Sequence, residues 1–222
     1  MRDYILEKVE NSTRYFRFGG IDVIEVDPVS EGIDLQAIFY SLEKLFPARY
    51  FKDLEEVRIE HIPEFDQRST NAMYRDGVFY ITNQQDDAKD IIDDVIHEFA
   101  HHLEMLYPTE IYGDKKLIKE FLTKRAQLEF ELRSEGYWTK EYDFKDLKFD
   151  TDFDIFLYKR IGKQMLRMVT ANIFIRPYAS VSLREYFATG FEAYYLGKQN
   201  SLEKISPMLF DKIDELNTKN RY

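Results

Sequence analysis

Short runs of alternating apolar and polar residues dominate the first third of the chain, a pattern typical of strands with one buried face. Runs that turn at Gly or Asp-Gly pairs predict β-hairpins, and leucine and phenylalanine at helical spacing predict a helix between them. The elements predicted here are a hairpin at 14–27 turned at Gly19-Gly20, a helix at 34–46, a strand at 57–62 stopped by Pro63, and a hairpin at 72–82 turned at Asp76-Gly77.

From residue 86 onward, apolar residues recur every three or four positions, which is the spacing of amphipathic helices. The first of these helices is predicted at 86–106, with an acidic first turn that suits the positive end of the helix dipole. Its apolar stripe is formed by Ile92, Val95, Ile96, Phe99 and Leu103. Later helices are predicted at 114–133, 152–175, 183–196 and 202–216. Strands followed by helices indicate an α+β fold.

The chain length of 222 residues is enough for one sizeable core. Only 9 glycines and 6 prolines are present, so no long flexible linker is expected. We therefore predict a single domain over 1–222, with a strand-rich part at 1–106 that ends in the first long helix and a helical part at 107–222.

Composition excludes several classes of function. The formal net charge of −10 repels a phosphate backbone, so no nucleic-acid partner is expected. With no cysteine, disulfides, thiolate metal sites and cysteine nucleophiles are excluded. No apolar run is long enough to cross a membrane, and the start, MRDYILEKVENSTRYF, has no signal-peptide core. These features predict a cytoplasmic protein without a membrane partner, and export by another route is left open.

The segment His97-Glu98-Phe99-Ala100-His101 is an HExxH motif inside the first long helix. Residues four apart lie one turn apart on one face, so both imidazoles can reach one zinc ion at about 2.0–2.1 Å. Glu98 occupies the position at which HExxH peptidases hold a general base. The competing interpretation is a chance match on an ordinary helix. It is disfavoured because the chain has only four histidines and because the apolar stripe lies on the opposite side.

A catalytic zinc takes three protein ligands, so a third ligand is needed beyond the motif. His102 follows His101 directly, points about 100° away on the helix, and is expected to be half-exposed or to lie behind the ligands. His61 is more simply an ordinary strand histidine. Elimination therefore favours a carboxylate.

Glu185 is the first choice for that carboxylate, because it lies near the start of the predicted helix 183–196. Glu192, two turns further on, is the second choice. Glu131 and Glu135 are weaker candidates, since they lie at a charge-rich helix end where solvated carboxylates are common.

The windows HEFAHHLE and YASVSLREYFATGFEAYYLG resemble the catalytic domain of anthrax lethal factor and the related clostridial Pro-Pro endopeptidases. In these gluzincins a later helix carries the glutamate ligand within an E-[FY]-F-A-x-x-F stretch, with a tyrosine seven residues earlier. The resemblance implies a zincin-like fold, with His97, His101 and Glu185 as zinc ligands, Glu98 as general base and then proton donor, and Tyr178 as oxyanion donor.

The resemblance further implies an edge strand before the motif helix, and VFYIT at 78–82 is predicted to pair with extended substrate. The interval from His101 to Glu185 is longer than in the family, so 107–177 is expected to contain an insertion, such as a lid or a substrate-selecting wall. Glu104 departs from the family's aspartate and is expected to orient a ligand.

These residues predict a zinc endopeptidase that makes a limited cut in a protein or peptide substrate. Two alternatives stay open: a non-catalytic protein-binding module on a zincin-like fold, and a regulatory, repressor-cleaving metallopeptidase with a different third ligand. The sequence has no signal for the cleavage motif or the oligomeric state.

Overall fold

The computed structural model describes residues 14–68 and 70–218. They form an α+β fold in which a five-stranded mixed sheet is followed by mostly helical chain, so the predicted α+β class is confirmed and the zincin-like fold stays a prediction. The chain divides into two compact units, Met1–Leu106 and Tyr107–Tyr222. This division falls where the strand-rich part was expected to end, and the assignment of both parts to one domain stays a prediction.

The sheet of the first unit contains both predicted hairpins. Its strands are β1 (Arg14–Phe18), β2 (Ile21–Glu25), β3 (Glu56–Ile59), β4 (Ala72–Arg75) and β5 (Val78–Ile81). They lie in the order β1-β2-β3-β5-β4, with β2, β3 and β5 parallel and each outer pair antiparallel. The turns at Gly19-Gly20 and Asp76-Gly77 all have positive φ, which glycine and aspartate adopt at low cost.

Pro63 explains one difference between the predicted and the observed elements of this unit. Strand β3 ends at Ile59, whereas the prediction extended it to residue 62. Pro63 then begins an unpredicted short helix, α2 (Pro63–Arg68), because proline has no N–H for a ladder but suits a first helical turn. The predicted helix at 34–46 is confirmed as α1 (Leu35–Glu43), capped by Asp34, and a 3-10 turn follows at Ala48–Phe51.

The long helix of the first unit, α3 (Ala88–Leu106), confirms the predicted helix at 86–106 and packs against β4 and β5. Phe99 of the HExxH motif is fully buried and its ring contacts those of Phe18, Phe51 and Phe79. Burial of such a ring contributes about 1.5–3 kcal/mol. The apolar stripe differs from the prediction at one position, because Ile91 is buried and Ile92 is half-buried. Phe99 thus anchors the motif helix to the sheet.

The regular elements of the second unit are all helical in its described part. Its elements are α4 (Pro108–Tyr112), α5 (Lys116–Ser134), α6 (Thr151–Ile155), a π-helix (Phe156–Gly162), α7 (Lys163–Thr170), a 3-10 turn (Pro177–Ser180), α8 (Leu183–Tyr195), α9 (Gln199–Ile205) and α10 (Pro207–Thr218). No helix in the described ranges is long and apolar enough to cross a bilayer.

Two single helices predicted for this unit are wrong. The helix predicted at 152–175 is divided by the π-helical segment, ends at Thr170, and changes direction at Gly162, whose φ is +85°. The helix predicted at 202–216 is divided into two helices, Gln199–Ile205 and Pro207–Thr218. Pro207 cannot donate a backbone hydrogen bond, so the first helix ends before it and a second helix begins there.

Helix α8 lies in the core of the second unit and packs against α5, α9 and α10. Tyr186, Phe187 and Phe191 are fully buried along it. The Tyr186 hydroxyl donates to Glu120 at 2.7 Å, and the Glu120 carboxylate also accepts from the backbone N–H groups of Met208 and Leu209 at 3.1 Å. One carboxylate therefore ties α5, α8 and the start of α10 together.

Candidate metal centre

His97 and His101 project from α3 one turn apart, and their ring centroids lie 4.8 Å apart. The Nδ1 of His101 lies 2.9 Å from Oε2 of Glu104, and both side chains are buried. A carboxylate only accepts hydrogen bonds, so this contact places the proton on Nδ1 and leaves Nε2 with a lone pair for a metal. The expected orienting contact of Glu104 is therefore present.

Glu185 lies in the first turn of α8. Ser182 caps this helix and accepts a hydrogen bond from the backbone N–H of Glu185 at 3.2 Å, which fixes where the carboxylate leaves the helix. Glu192, the second choice for the ligand, is buried and forms an ion pair with Arg176. A carboxylate already paired with a guanidinium is a poorer metal ligand, so this pair favours Glu185.

Within the described ranges, one group of histidine and acidic side chains could hold a metal ion: His97, His101 and Glu185. Their ligand atoms all lie within 4.8 Å of one another. Ligands at about 2.0–2.2 Å around a tetrahedral ion are separated by about 3.4 Å, a spacing that the limit of 4.8 Å includes. Neither Glu131 nor Glu135 belongs to this group. Two imidazoles and one carboxylate fit a metal ion.

Glu98 connects the motif helix to the sheet. Its side chain is 6% exposed, and Oε2 accepts a hydrogen bond from the backbone N–H of Tyr74 at 2.6 Å. Tyr74 lies on β4, and this N–H is directed away from β5. The contact holds the carboxylate of Glu98 at the outer edge of β4.

The prediction that 78–82 forms the edge strand is wrong. Strand β5 lies between β3 and β4, and in the described part of the sheet β4 is the strand at this edge. The reason is the order of the strands. The second strand of the hairpin, β5, pairs in parallel with β3, so the first strand, β4, lies at the edge. Any strand added at this edge would pair with Ala72–Arg75.

The expectation that His102 is half-exposed is also wrong, because its side chain is fully buried. Its Nε2 donates to the carbonyl oxygens of Tyr50 at 3.0 Å and Lys52 at 2.9 Å, and its Nδ1 lies 3.2 Å from the Tyr74 hydroxyl. Burial lowers the pKa of His102, which favours the neutral ring that this bonding requires. His102 is a core residue of the first unit.

His61 lies just after β3 and not within it. Its Nδ1 lies 3.0 Å from Oγ1 of Thr82, and its Nε2 lies 3.2 Å from Oδ2 of Asp66. Both nitrogens are thus engaged by protein groups, which fits the interpretation of His61 as an ordinary structural histidine.

Tyr178 lies on the 3-10 turn that precedes α8 and is half-buried. Its ring packs against Tyr158 of the π-helix, with ring centroids 6.4 Å apart. Arg176, two residues earlier, anchors the turn through its ion pair with Glu192. Tyr178, the residue predicted to bind an oxyanion, is therefore held by its ring contact with Tyr158 and by the ion pair of Arg176 in the same turn.

Arg125 of α5 fixes the end of the same turn. Its guanidinium donates to the carbonyl oxygens of Ser180 at 2.7 Å and Val181 at 3.3 Å, and lies 4.0 Å from the ring centroid of Phe153. The side chain is 1% exposed, and burial lowers its pKa to about 10, so it stays charged at neutral pH. It holds the segment between Tyr178 and Glu185.

Sequence reasoning did not identify Tyr74, Arg125, Tyr158 or Arg176. Each acts through a partner 16 or more residues away, or through backbone atoms, so no local motif marks it. The only available signal was a basic residue, Arg125, on the apolar side of a predicted helix.

Comparison of the chain with protein-family models, curated proteins and solved structures finds no match. The resemblance to the lethal factor group therefore rests on the residues of the two windows and stays a prediction.

Proposed function

We propose that this chain is a zinc-dependent endopeptidase with a zincin-like fold. The observation that supports it most directly is the group of His97, His101 and Glu185, which unites an HExxH pair with a distant carboxylate. The contact between His101 and Glu104 adds support, because catalytic zinc sites commonly orient a ligating histidine through a carboxylate.

The donor set favours zinc over other ions. Two imidazole nitrogens and one carboxylate oxygen match the His₂Glu sets of zinc peptidases, whereas magnesium and calcium prefer sites made of oxygen alone. Three protein ligands leave a fourth position, which a purely structural zinc site does not keep. A zinc ion in such a site lowers the pKa of a water ligand towards neutrality and polarises the substrate carbonyl.

The side chains of this chain would supply the proton transfers and the charge stabilisation. Glu98 takes a proton from the attacking water and later delivers it to the leaving amine. The hydrogen bond from the Tyr74 N–H keeps its carboxylate oriented between these steps. The Tyr178 hydroxyl donates to the oxyanion, an interaction worth about 2.7–4 kcal/mol for a full donor.

The substrate would be an extended segment of a protein or peptide. Strand β4 offers an edge for it, and backbone pairing of this kind gives affinity while side-chain pockets give specificity. Glu98 is bonded to the Tyr74 N–H at that edge, so a peptide paired with β4 would run past the general base.

The test compares wild type with Glu98→Gln, which keeps the shape of the side chain but cannot accept a proton. Both proteins are expressed in the same cells, and new protein termini are sequenced across the proteome. We expect a small set of cleavages with wild type alone, equal zinc contents, and a rate for Glu98→Gln lower by about 10²–10⁴ on a peptide from that set.

Two results would count against the proposal. Full activity of Glu98→Gln would remove the general base from the mechanism. Equal zinc contents without any cleavage by wild type would instead favour a protein-binding module on this fold.

A further inference from the structure

Tyr158 is a half-buried tyrosine in the segment between the HExxH helix and the window that contains Tyr178 and Glu185. It lies in the π-helix Phe156–Gly162, and its ring packs against that of Tyr178. The Tyr158 hydroxyl has no hydrogen bond to any residue in the described part of the chain. The ring of Tyr158 thus contacts the predicted oxyanion donor, and its hydroxyl takes no part in the hydrogen bonds of the described residues.

Tyr158 lies in an element of π-helical geometry. An α-helix advances about 100° per residue, so the wider turn of a π-helix rotates the following side chains relative to an unbroken α-helix. π-Helices are rare and occur frequently at functional sites. In this chain the ring of Tyr158, within the π-helix, contacts the ring of Tyr178.

Burial keeps the proton on the Tyr158 hydroxyl. Burial raises the pKa of its hydroxyl to about 12, the Asp154 and Glu185 carboxylates add to this effect, and Arg176 opposes it. At neutral pH the group is a phenol that can donate a hydrogen bond.

We propose that Tyr158 is a second hydroxyl donor to the bound substrate, acting beside Tyr178 on the carbonyl oxygen of the bond that is cut. This inference rests on the proposed function. It also gives the segment 107–177 a catalytic role. A donor that a bound peptide shields from water must find an acceptor, since a buried donor without one destabilises the complex.

The test is Tyr158→Phe, which retains the ring packed against Tyr178 and removes only the hydroxyl. Tyr142→Phe is the matched control, because Tyr142 is a half-buried tyrosine whose ring stacks on Phe156 of the same π-helix at 4.0 Å. The probes are a quenched fluorescent peptide copied from a wild-type cleavage site and a phosphinic analogue of that peptide. Zinc content and thermal unfolding are measured for every protein.

We expect Tyr158→Phe to lower kcat by about tenfold or more, up to the 10²–10³ of a full oxyanion donor, with KM changed less than threefold. Its affinity for the phosphinic peptide, measured by calorimetry, should fall by a similar factor, since this peptide resembles the tetrahedral intermediate. Zinc content and unfolding temperature should match wild type, and Tyr142→Phe should behave as wild type throughout.

Three results would overturn the inference. Equal kcat values for Tyr158→Phe and Tyr142→Phe would show that the hydroxyl does not reach the reacting group. Loss of zinc from Tyr158→Phe would show that it supports Glu185 instead of substrate. A zinc-loaded wild type that neither cleaves peptides nor binds the phosphinic analogue would remove the proposed function itself, a failure distinct from the other two.

Discussion

Glu104 offers the sharpest quantitative test of how the metal centre is built. The change is Glu104→Ala, which removes the acceptor that lies 2.9 Å from Nδ1 of His101. The imidazole then keeps its position on α3 but loses the contact that fixes its proton and its rotation. Because both side chains are buried, solvent cannot fully replace the lost bond.

The magnitude follows from the role of such contacts in zinc proteins. Loss of a carboxylate that orients a ligating histidine weakens metal binding by about 10–100-fold. At about 1.4 kcal/mol for each factor of ten, this is about 1.4–2.8 kcal/mol. Glu104→Gln keeps an oxygen acceptor without the charge, so its zinc affinity should lie between those of wild type and Glu104→Ala.

The assay is competition for zinc against a chelating dye of known affinity at neutral pH. Glu203→Ala is the control, because Glu203 is an exposed glutamate on α9 of the other unit and should leave the affinity unchanged. Thermal unfolding without metal shows whether each variant is folded. A dissociation constant for Glu104→Ala equal to that of wild type would refute the reasoning.

Two further predictions concern the scaffold around Tyr178 and Glu185. A methyl group added at Gly190 would lie 2.2 Å from Cδ2 of buried Leu209, so Gly190→Ala should lower the free energy of unfolding by about 1–3 kcal/mol. In a Leu209→Ala background the same change should cost much less, and equal costs in the two backgrounds would disprove the clash. Arg125→Met leaves buried carbonyl oxygens without donors, so urea denaturation should show a loss of about 3–5 kcal/mol. The exposed control Arg167→Met should stay within about 0.5 kcal/mol of wild type, and a neutral Arg125→Met would contradict the assigned role.

Local features of the fold were predictable because their causes are local. The two hairpins follow from turn pairs that accept positive φ, and α3 follows from an apolar period of three to four residues. The relation of His97 to His101 follows from helix geometry alone. Glu185 was named because it lies near the start of a predicted helix, and its spacing from Tyr178 in the suspected family indicates the same residue.

Features that depend on long-range packing were not predictable. Strand β5 lies inside the sheet because it pairs with β3, about twenty residues earlier in the chain. The residues of β5 alone could not predict this pairing. The burial of His102 depends on the carbonyl oxygens of Tyr50 and Lys52, which reach it only once the first unit has folded. The π-helix at Phe156–Gly162 has no periodic signature that separates it from an α-helix.

The zinc content of wild type and of two ligand variants tests the central claim most directly. Each protein is purified without chelator, supplied with zinc, freed of excess ion and analysed by mass spectrometry of the metal. We expect one zinc per wild-type chain, loss of it in Glu185→Ala, and retention in Glu192→Ala, because Glu192 is paired with Arg176. A wild type that takes up no zinc, or a Glu185→Ala protein that holds it as tightly as wild type, would contradict the account.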